Sequence, residues 1–256
     1  RLDLRFPLDL LVRDVKAVEP TTRDTLLSLE RLKVELRFWK LLKKEVEIEE
    51  ISIRNATFDT RDFIDGVVVS GHLGELFLES HGVVFSPETA RINEFSVKNT
   101  DVSLTLGSIE STDTVPSEPL YWKILLDEID FENVGFALKM PQDSLFVRTM
   151  LPKTTLKNGV IDLKEASYYV KSFGIDNAEL AYGPKEELFL QQIGLQLDSI
   201  YYCGKDIRAN IEEFVLKERS GLELVSTEGR IVSDSVLIEI PKFTMKTTAS
   251  SLDLQT

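Results

Sequence analysis

The amino-acid sequence predicts a nearly all-β protein built on one long, mainly antiparallel sheet. Apolar and polar residues alternate along almost the whole chain, which is typical of strands with one buried and one hydrated face. The gaps between these stretches are short and turn-like, as in a meander. An internal repeat, whose copies each carry a bend signal, is the third observation. We expect about fifteen strands and one to three short helices.

The first part of the chain supports strands from its start. Residues 1–12, "RLDLRFPLDLLV", already alternate, and residues 32–38, "LKVELRF", place four apolar side chains on one side. The best helix candidate overlaps the second stretch, since residues 38–45, "FWKLLKKE", bring leucines into helical spacing after Phe38. Residues 185–193, "KEELFLQQI", fit either a helix or a strand.

An internal repeat accounts for much of the remaining chain. Its first copy is "IEEISIRNATF", residues 48–58, and the copies run apolar, two polar, apolar, spacer, apolar, spacer, asparagine. Two looser copies without the asparagine lie at residues 211–224 and 240–254. The asparagines of the repeat are Asn55, Asn99, Asn133, Asn158 and Asn177.

The first copy changes its strand parity twice, so a regular strand would send its apolar side chains to opposite faces. An extra residue at positions 49–50 and another at positions 55–56 would restore them all to one face, because a β-bulge shifts the parity and bends the strand. Asparagine tolerates the left-handed backbone that such a bend uses. The alternative is that each asparagine only ends its strand in a turn. We therefore predict equivalent bends or strand ends at the five asparagines.

The spacing of the asparagines bears on the architecture. Successive asparagines are 44, 34, 25 and 19 residues apart, whereas a strict solenoid or propeller would keep a fixed period. Unequal spacing favours one meandering sheet, and we treat residues 1–256 as a single domain. Residues 107–119 are rich in Ser, Thr, Glu and Pro and predict a mobile surface loop. The same repeat lies on both sides of this loop, so it is not a domain boundary.

Composition limits the classes of function. The 256 residues carry a net charge of −13, which argues against nucleic-acid binding and against broad adsorption to anionic membranes, although solubility alone also explains it. No apolar run approaches the length of a membrane-spanning helix, and no signal peptide is visible. Cys203 is the single cysteine, so no internal disulfide can form. Both ends of the sequence lie in strand pattern, so we expect a fragment of a longer protein.

The residues offer little chemistry. His72, Glu79 and His81 could surround a metal ion, but exposed polar positions explain them equally well. Cys203 has no histidine near it in sequence, so an incidental thiol is the simpler interpretation. The carboxylates are scattered along the hydrated faces of strands rather than paired for acid–base catalysis. We therefore expect a protein that is not an enzyme and has no cofactor and no metal site.

The order of several motifs resembles the AsmA-like family, in particular its TamB branch, the translocation and assembly module subunit. The matching motifs are "DV", "DTLL", "LKV" and "LL" in residues 14–42, then the first repeat copy, and then "YWKILLDEIDFENVGFALKMP" in residues 121–141, where a Trp opens a strand pair. The likeness covers most of residues 1–183. The family carries a membrane anchor at its N-terminus, and we expect that anchor to lie outside this sequence. The residues leave open whether the chain is of the TamB branch or of another AsmA-like branch.

The resemblance implies a periplasmic protein attached to the inner membrane of a diderm bacterium. It implies a half-pipe, in which a long sheet curls into a groove with an apolar concave face. The family is linked to phospholipid movement toward the outer membrane and to outer-membrane biogenesis, and the TamB branch is linked to the assembly and secretion of outer-membrane proteins with a β-barrel partner.

Two functions from different classes follow. In the first, the groove conducts phospholipid acyl chains, each CH₂ gaining about 0.8 kcal/mol on leaving water. In the second, the sheet closes into a sandwich whose edges bind an outer-membrane assembly partner by strand addition. The two differ in whether side chains fill the interior, which the sequence leaves open. The candidate residues of the groove are Ile48, Ile51, Ile53, Phe58, Phe95, Val97, Ile129, Phe131, Leu156, Phe173 and Ile175.

Overall fold

The structure, a computed structural model, is one open sheet. It describes residues 2–5, 9–42, 47–61, 66–85, 88–107, 121–234 and 238–255, which form 14 strands paired in chain order with β1 and β14 at the edges. Strands make up 81% of the structure and helices 3%, so the predicted nearly all-β, curled and mainly antiparallel sheet is confirmed. The strands are β1 (Leu2–Arg5), β2 (Asp9–Val18), β3 (Thr25–Leu36), β4 (Ile48–Asp59), β5 (Val67–Phe85), β6 (Glu88–Leu106), β7 (Lys123–Met140), β8 (Leu145–Asp162), β9 (Ser167–Tyr182), β10 (Leu188–Cys203), β11 (Asp206–Glu218), β12 (Glu223–Ser233), β13 (Ile238–Thr247) and β14 (Ser251–Gln255).

The irregular elements match the sequence in part. Helix α1 (Phe38–Leu41) occupies the start of the predicted helix, and residues 43–46 lie outside the described residues. A 3-10 turn, Pro141–Asp143, joins β7 to β8. The ambiguous segment at 185–193 is a turn followed by the start of β10. Of the predicted loop at 107–119, only Gly107 is described, and its N–H donates to the Gly66 carbonyl at 2.7 Å.

One pair of neighbouring strands departs from the meander. β6 and β7 are parallel, with Phe95 opposite Ile129 and Val97 opposite Phe131. A parallel pair cannot be joined by a tight hairpin, because the chain must return along the sheet before the second strand begins. Residues 107–122 provide that connection. All other neighbouring pairs of the described strands are antiparallel.

The repeat asparagines are bends inside strands. All five adopt left-handed backbone angles, with φ of 47° at Asn55, 50° at Asn99, 60° at Asn133, 52° at Asn158 and 55° at Asn177. Each lies within a strand, so the prediction of bends at the five asparagines is confirmed and the alternative of simple strand-ending turns is wrong. At each bend the residue two positions before the asparagine and the residue directly after it share a face, although they are three positions apart. Ile53 and Ala56 show this, since both point away from the exposed Arg54 and Asn55.

The mechanism of the bend differs from the predicted one. Across Asn55 the pairing with β5 continues without a shift, from Arg54 opposite Glu75 to Ala56 opposite Leu73. No residue is inserted, so the expected bulge at positions 55–56 is wrong. A single left-handed residue returns the following side chains to the same face instead. The bulge expected at positions 49–50 is confirmed, because the β3–β4 register shifts there between Glu35 and Leu36.

Apart from Gln192 of β10, with φ of 51° at a shift in register, the left-handed non-glycine residues inside strands lie on two lines that cross the sheet. The first bend line runs through the left-handed residues of β2, β4, β6, β7 and β9, and its members sit side by side in register. Asn158 belongs elsewhere, because the β8 position opposite Asn133 on this line is Pro152. Asn158 and Ser199, with φ of 52° and 59°, mark the second bend line. The prediction that all five asparagines are equivalent is therefore wrong for Asn158. The first bend line contains Asp14, Asn55, Asn99, Asn133 and Asn177.

Moving Asn158 to the second line makes the repeat nearly regular. Along the first line, Asn55, Asn99, Asn133 and Asn177 are separated by 44, 34 and 44 residues. Each interval of 44 contains an outgoing and a returning strand, and the shorter interval contains the parallel connection. The repeating unit is therefore a pair of strands. This regularity is hidden in the sequence because two kinds of bend share one motif.

Asn133 allows a direct test of the bend. We expect Asn133→Val to lower the free energy of unfolding by about 2 kcal/mol, because a β-branched residue is strained in left-handed backbone. Asn133→Gly also loses the 3.1 Å hydrogen bond from Asn133 Nδ2 to Asn99 Oδ1, but glycine adopts the left-handed backbone without strain. We therefore expect Asn133→Gly to lower the free energy of unfolding by well under about 1 kcal/mol. Urea denaturation measures both variants. Equal losses would mean that the side-chain hydrogen bond, and not the backbone angle, maintains the bend.

The sheet forms a single layer among the described residues. No large side chain there is fully buried, and substantial contacts join only elements that follow one another in the chain. The chain of 29.0 kDa exposes 16480 Å², whereas a compact monomer of this mass exposes about 11,400 Å². The described residues therefore form no closed sandwich, and no second layer fills the interior.

Candidate functional site

One side of the sheet, here called the apolar face, collects the alternating apolar residues of every long strand. Cross-strand register defines it, because residues directly opposite one another in a sheet point to the same side. Two rows run straight across β3 to β11 at its centre, over about 38 Å. The first row is Leu32, Ile53, Leu76, Val97, Phe131, Thr154, Ile175, Leu195 and Phe214, and the second is Val34, Ile51, Leu78, Phe95, Ile129, Leu156, Phe173, Leu197 and Ile211.

All eleven candidate groove residues lie on the apolar face. Nine belong to the two central rows. Ile48 pairs with Leu36 at one end of the face, and Phe58 pairs with Leu27 and Gly71 beyond the first bend line. Val97 is buried, with 8% of its surface exposed, and the other ten are half-buried. The structure thus brings together residues that span positions 48 to 175 of the chain.

The middle of the face is aromatic. The rings of Phe95 and Phe131 meet edge to face with their centroids 6.1 Å apart, on the two strands of the parallel pair. Phe131 lies between Val97 and Thr154 in its row. An edge-to-face pair of aromatic rings stabilises the fold by more than the burial of its apolar area alone. It fixes the position of two large side chains, above which the described part of the chain places no second layer.

The chemistry of the central rows is uniform. Seventeen of the eighteen residues are aliphatic or aromatic, and the exception is Thr154, whose buried hydroxyl has no hydrogen-bond partner among the described residues. Elsewhere on the face, the Thr149 hydroxyl donates to the Glu179 carbonyl at 2.9 Å, whereas the buried hydroxyl of Thr227 has no partner among the described residues. The rows therefore offer dispersion contacts and no charged group, so they suit alkyl chains rather than polar ligands.

Sequence reasoning missed part of the face. Together with Thr154, the two rows are completed by apolar residues of four strands that lack the asparagine motif: Leu32 and Val34 in β3, Leu76 and Leu78 in β5, Leu195 and Leu197 in β10, and Ile211 and Phe214 in β11. The available signal was the plain alternation of these strands, combined with pairing in chain order. The repeat motif marks only some of the strands, so it does not indicate the strands between its copies.

The opposite side of the sheet, here called the polar face, carries the charges. One of its rows alternates in sign across β4 to β9, which places opposite charges side by side. Arg54 approaches Glu75 with their closest atoms 3.8 Å apart, and Lys98 approaches Glu132 at 3.2 Å. Exposed pairs of this kind each contribute little, but they keep this side hydrated. The row is Arg54, Glu75, Lys98, Glu132, Lys153 and Asp176.

A neighbouring row on the polar face is acidic. Its carboxylates lie directly opposite one another in successive strands, and cations are present only towards its ends. The hydrogen bond to Glu35 is the main cause that raises the pKa of Lys33; partial burial lowers this pKa, and the hydrogen bond to Glu50 raises it again. At the other end, Lys157 contacts Glu128 at 2.8 Å, and this contact raises the pKa of Lys157. The acidic row is Glu35, Glu50, Glu79, Glu94 and Glu128.

The acidic row predicts a stabilising substitution. We expect Glu79→Lys to raise the free energy of unfolding by about 1 kcal/mol, because Glu79 lies between Glu50 and Glu94 and like charges directly opposite are unfavourable. Glu75→Lys, in the same strand and on the same face, places a cation between Arg54 and Lys98 and should cost about as much. Thermal melting at low and high salt measures both, and salt should shrink both effects. A gain from both variants would show that only net charge matters.

The histidines and the cysteine form no recognisable reaction centre. The described residues contain no group of three His, Cys, Asp or Glu side chains placed to hold a metal ion. His72 Nδ1 lies 3.3 Å from the Thr57 hydroxyl on the polar face. Cys203 is a free, half-buried thiol whose sulfur lies 3.9 Å from the Glu165 carbonyl oxygen.

Comparison with known proteins adds no assignment. No protein-family model matches the chain, and no curated protein matches it. Within the described ranges, no helix has the length and apolar character needed to cross a bilayer. The candidate site is therefore defined by its own geometry, an apolar face of nine strands that no other described residue covers, backed by a charged polar face.

Proposed function

We propose that the apolar face carries lipid acyl chains along the sheet. In this proposal the chain is one stretch of a conduit between the inner and outer membranes, within a periplasmic AsmA-like protein that is not an enzyme and is attached to the inner membrane by a segment outside this sequence. The observation that supports it is the continuous apolar surface of the two central rows, which no second layer covers among the described residues.

The energetics of the face suit transport. An acyl chain gains about 0.8 kcal/mol for each CH₂ that leaves water, and half-buried side chains such as Ile53 and Phe131 gain contacts at the same time. The open side lets a charged headgroup remain in water, which avoids the cost of burying it. Because successive positions along a row are chemically similar, no single position binds an acyl chain much more strongly than its neighbours. A bound chain could therefore move from strand to strand without a large barrier.

The motif order supports the AsmA-like part of the proposal, together with the open curled sheet that this family leads one to expect. Phospholipid is the proposed cargo, and outer-membrane biogenesis the proposed process. Whether the lipid path also serves an outer-membrane β-barrel assembly partner depends on parts of the protein beyond the face itself.

A second candidate function is a scaffold that binds a partner by strand addition. The observation that favours it is the pair of open edges, since β1 and β14 each pair on one side only in this chain. On β14, Leu252 and Leu254 are exposed. A partner strand could add its backbone hydrogen bonds there and cover both leucines. This candidate uses the edges, whereas the conduit uses the centre of the face.

Photo-crosslinking in cells separates the two functions. A photoreactive residue is placed at Ile53 or Phe131 of the full-length protein, and at Arg54 or Glu132 as matched controls, because each control is the next residue of the same strand on the opposite face. The conduit predicts lipid adducts, identified by mass spectrometry, at Ile53 and Phe131 but not at the controls. Adducts to protein alone at Ile53 and Phe131 would support the scaffold, and equal lipid labelling of both faces would contradict the conduit.

A further inference from the structure

An exposed apolar patch lies at one end of the sheet, where β3 ends and β4 begins. Trp39 of helix α1 and the adjacent Leu42 are 73% and 64% exposed, the highest exposures among the large apolar side chains of the described residues. Exposed apolar surface is unfavourable in water, and two large exposed apolar side chains so close together on one short segment are unusual.

Cations surround a hollow beside this patch, although the chain as a whole has a net charge of −13. The hollow, of about 380 Å³, is lined by charged side chains from four separate parts of the chain, and four of them are permanent cations against one carboxylate. The polar side chains concerned are Arg37, Lys40, Glu47, His81, Arg91 and Lys123.

Each of these cations contacts a carboxylate and keeps part of its side chain exposed. Glu47 is buried, with 4% of its side chain exposed, and contacts Arg37 at 2.5 Å and Lys40 at 3.7 Å, while both cations stay more than one-third exposed. Arg91 and Lys123 contact Asp127 and Asp162 at 3.5 and 3.4 Å and remain more than half exposed. Arg37 also contacts Glu49 at 2.6 Å. The carboxylates of Glu49, Asp127 and Asp162 do not line the hollow.

We propose that this end of the sheet docks on the surface of an anionic lipid bilayer. Exposed Trp and Leu beside Lys and Arg are the combination that interfacial membrane-binding segments use, with the apolar side chains in the acyl boundary and the cations among the headgroups. Arg91 and Lys123 are each more than half exposed, so they can reach headgroup phosphates beyond their present carboxylate partners, which favours an anionic bilayer over a neutral partner. The proposal does not depend on the conduit, because the patch and the hollow lie outside the central rows.

The overall negative charge is compatible with this contact. The acidic row crosses β6 at Glu94, three residues or about 10 Å from Arg91, and crosses β3 at Glu35, two residues from Arg37. Docking by the end of the sheet, with the strands pointing away from the bilayer, keeps most of this row off the membrane. Broad adsorption by the polar face remains unfavourable.

Vesicle flotation with the purified chain tests the proposal. We expect binding to vesicles that contain phosphatidylglycerol, little binding to vesicles of phosphatidylcholine alone, and weaker binding at high salt. The double variant Trp39→Ser with Leu42→Ser should lose about tenfold in affinity, and Arg91→Gln or Lys123→Gln about fivefold each. Leu222→Ser is the matched control, because Leu222 is 53% exposed at the opposite end of the strands and should leave binding unchanged.

A second measurement guards against a folding defect. Trp39 and Trp122 are the two tryptophans of the chain, so the variant Trp122→Phe leaves Trp39 as the only indole. Brominated lipid in anionic vesicles should then quench its fluorescence. Absence of quenching, equal binding to both vesicle types, or full binding by the Trp39 and Leu42 double variant would each overturn the proposal, and the last would leave only charge attraction.

Discussion

Replacing Gly71 by alanine is expected to lower the free energy of unfolding by about 3 kcal/mol. A Cβ at this position would lie 2.3 Å from the Asp101 carbonyl oxygen and 3.0 Å from the Val102 Cα. Both atoms belong to the backbone of β6, which pairs with β5 at this point. The backbone cannot retreat without breaking the pairing of the two longest strands. Thermal denaturation should show a fall in Tm of roughly 6–12 °C for a chain of this size.

Gly135→Ala is the matched control for this substitution. Its Cβ would also meet Asp101, but at a distance of 3.0 Å from the carboxylate oxygen Oδ2. A side chain can rotate away where a backbone cannot, so the expected loss is below about 1 kcal/mol. If the two variants lose the same stability, then the removal of glycine flexibility, and not the clash with β6, is the cause.

Replacing Phe131 by aspartate is expected to lower the free energy of unfolding by about 3 kcal/mol. The substitution removes the edge-to-face contact with Phe95 and places a carboxylate between Val97 and Thr154. Because the face is open, the carboxylate keeps part of its hydration, and the loss is smaller than in a closed core. Urea denaturation of the purified chain gives the value.

Phe131→Leu is the control, since it keeps the site apolar and should cost about 1 kcal/mol. The pair of variants also tests the conduit, because the aspartate should reduce lipid adducts at Ile53 in the same row, whereas the leucine should not. Wild-type stability of the aspartate variant would mean that the apolar face has no part in holding the sheet together.

Local pattern in the sequence predicted the strands, the bends and the face on which each repeat residue lies. These features depend on short-range physics, since alternation fixes the facing of side chains and asparagine favours left-handed backbone. The bulge at positions 55–56 was a wrong inference because one left-handed residue and one inserted residue both restore the same parity. Parity alone cannot distinguish them, whereas the unshifted pairing of Arg54 with Glu75 does.

The other missed features depend on pairing between distant segments. The parallel pair of β6 and β7 could not be predicted, because alternation is the same in parallel and antiparallel strands. Asn158 was grouped with the other asparagines because its motif is the same, although it lies on another bend line. The cationic hollow brings Arg37, Arg91 and Lys123 together from three strand ends, and no short stretch of sequence shows such a cluster.

The direction of the strands on the first bend line has a consequence for how such a sheet can change in length. β2, β4, β6, β7 and β9 all run the same way, since antiparallel neighbours alternate and the parallel pair preserves direction. Adding or removing one outgoing and one returning strand therefore keeps every bend in place and changes the span by about 10 Å. A single strand added elsewhere would set the next left-handed residue against the direction of the others. The cross-section is thus independent of the number of units, and such a sheet can be extended in modules of two strands without redesign of its profile.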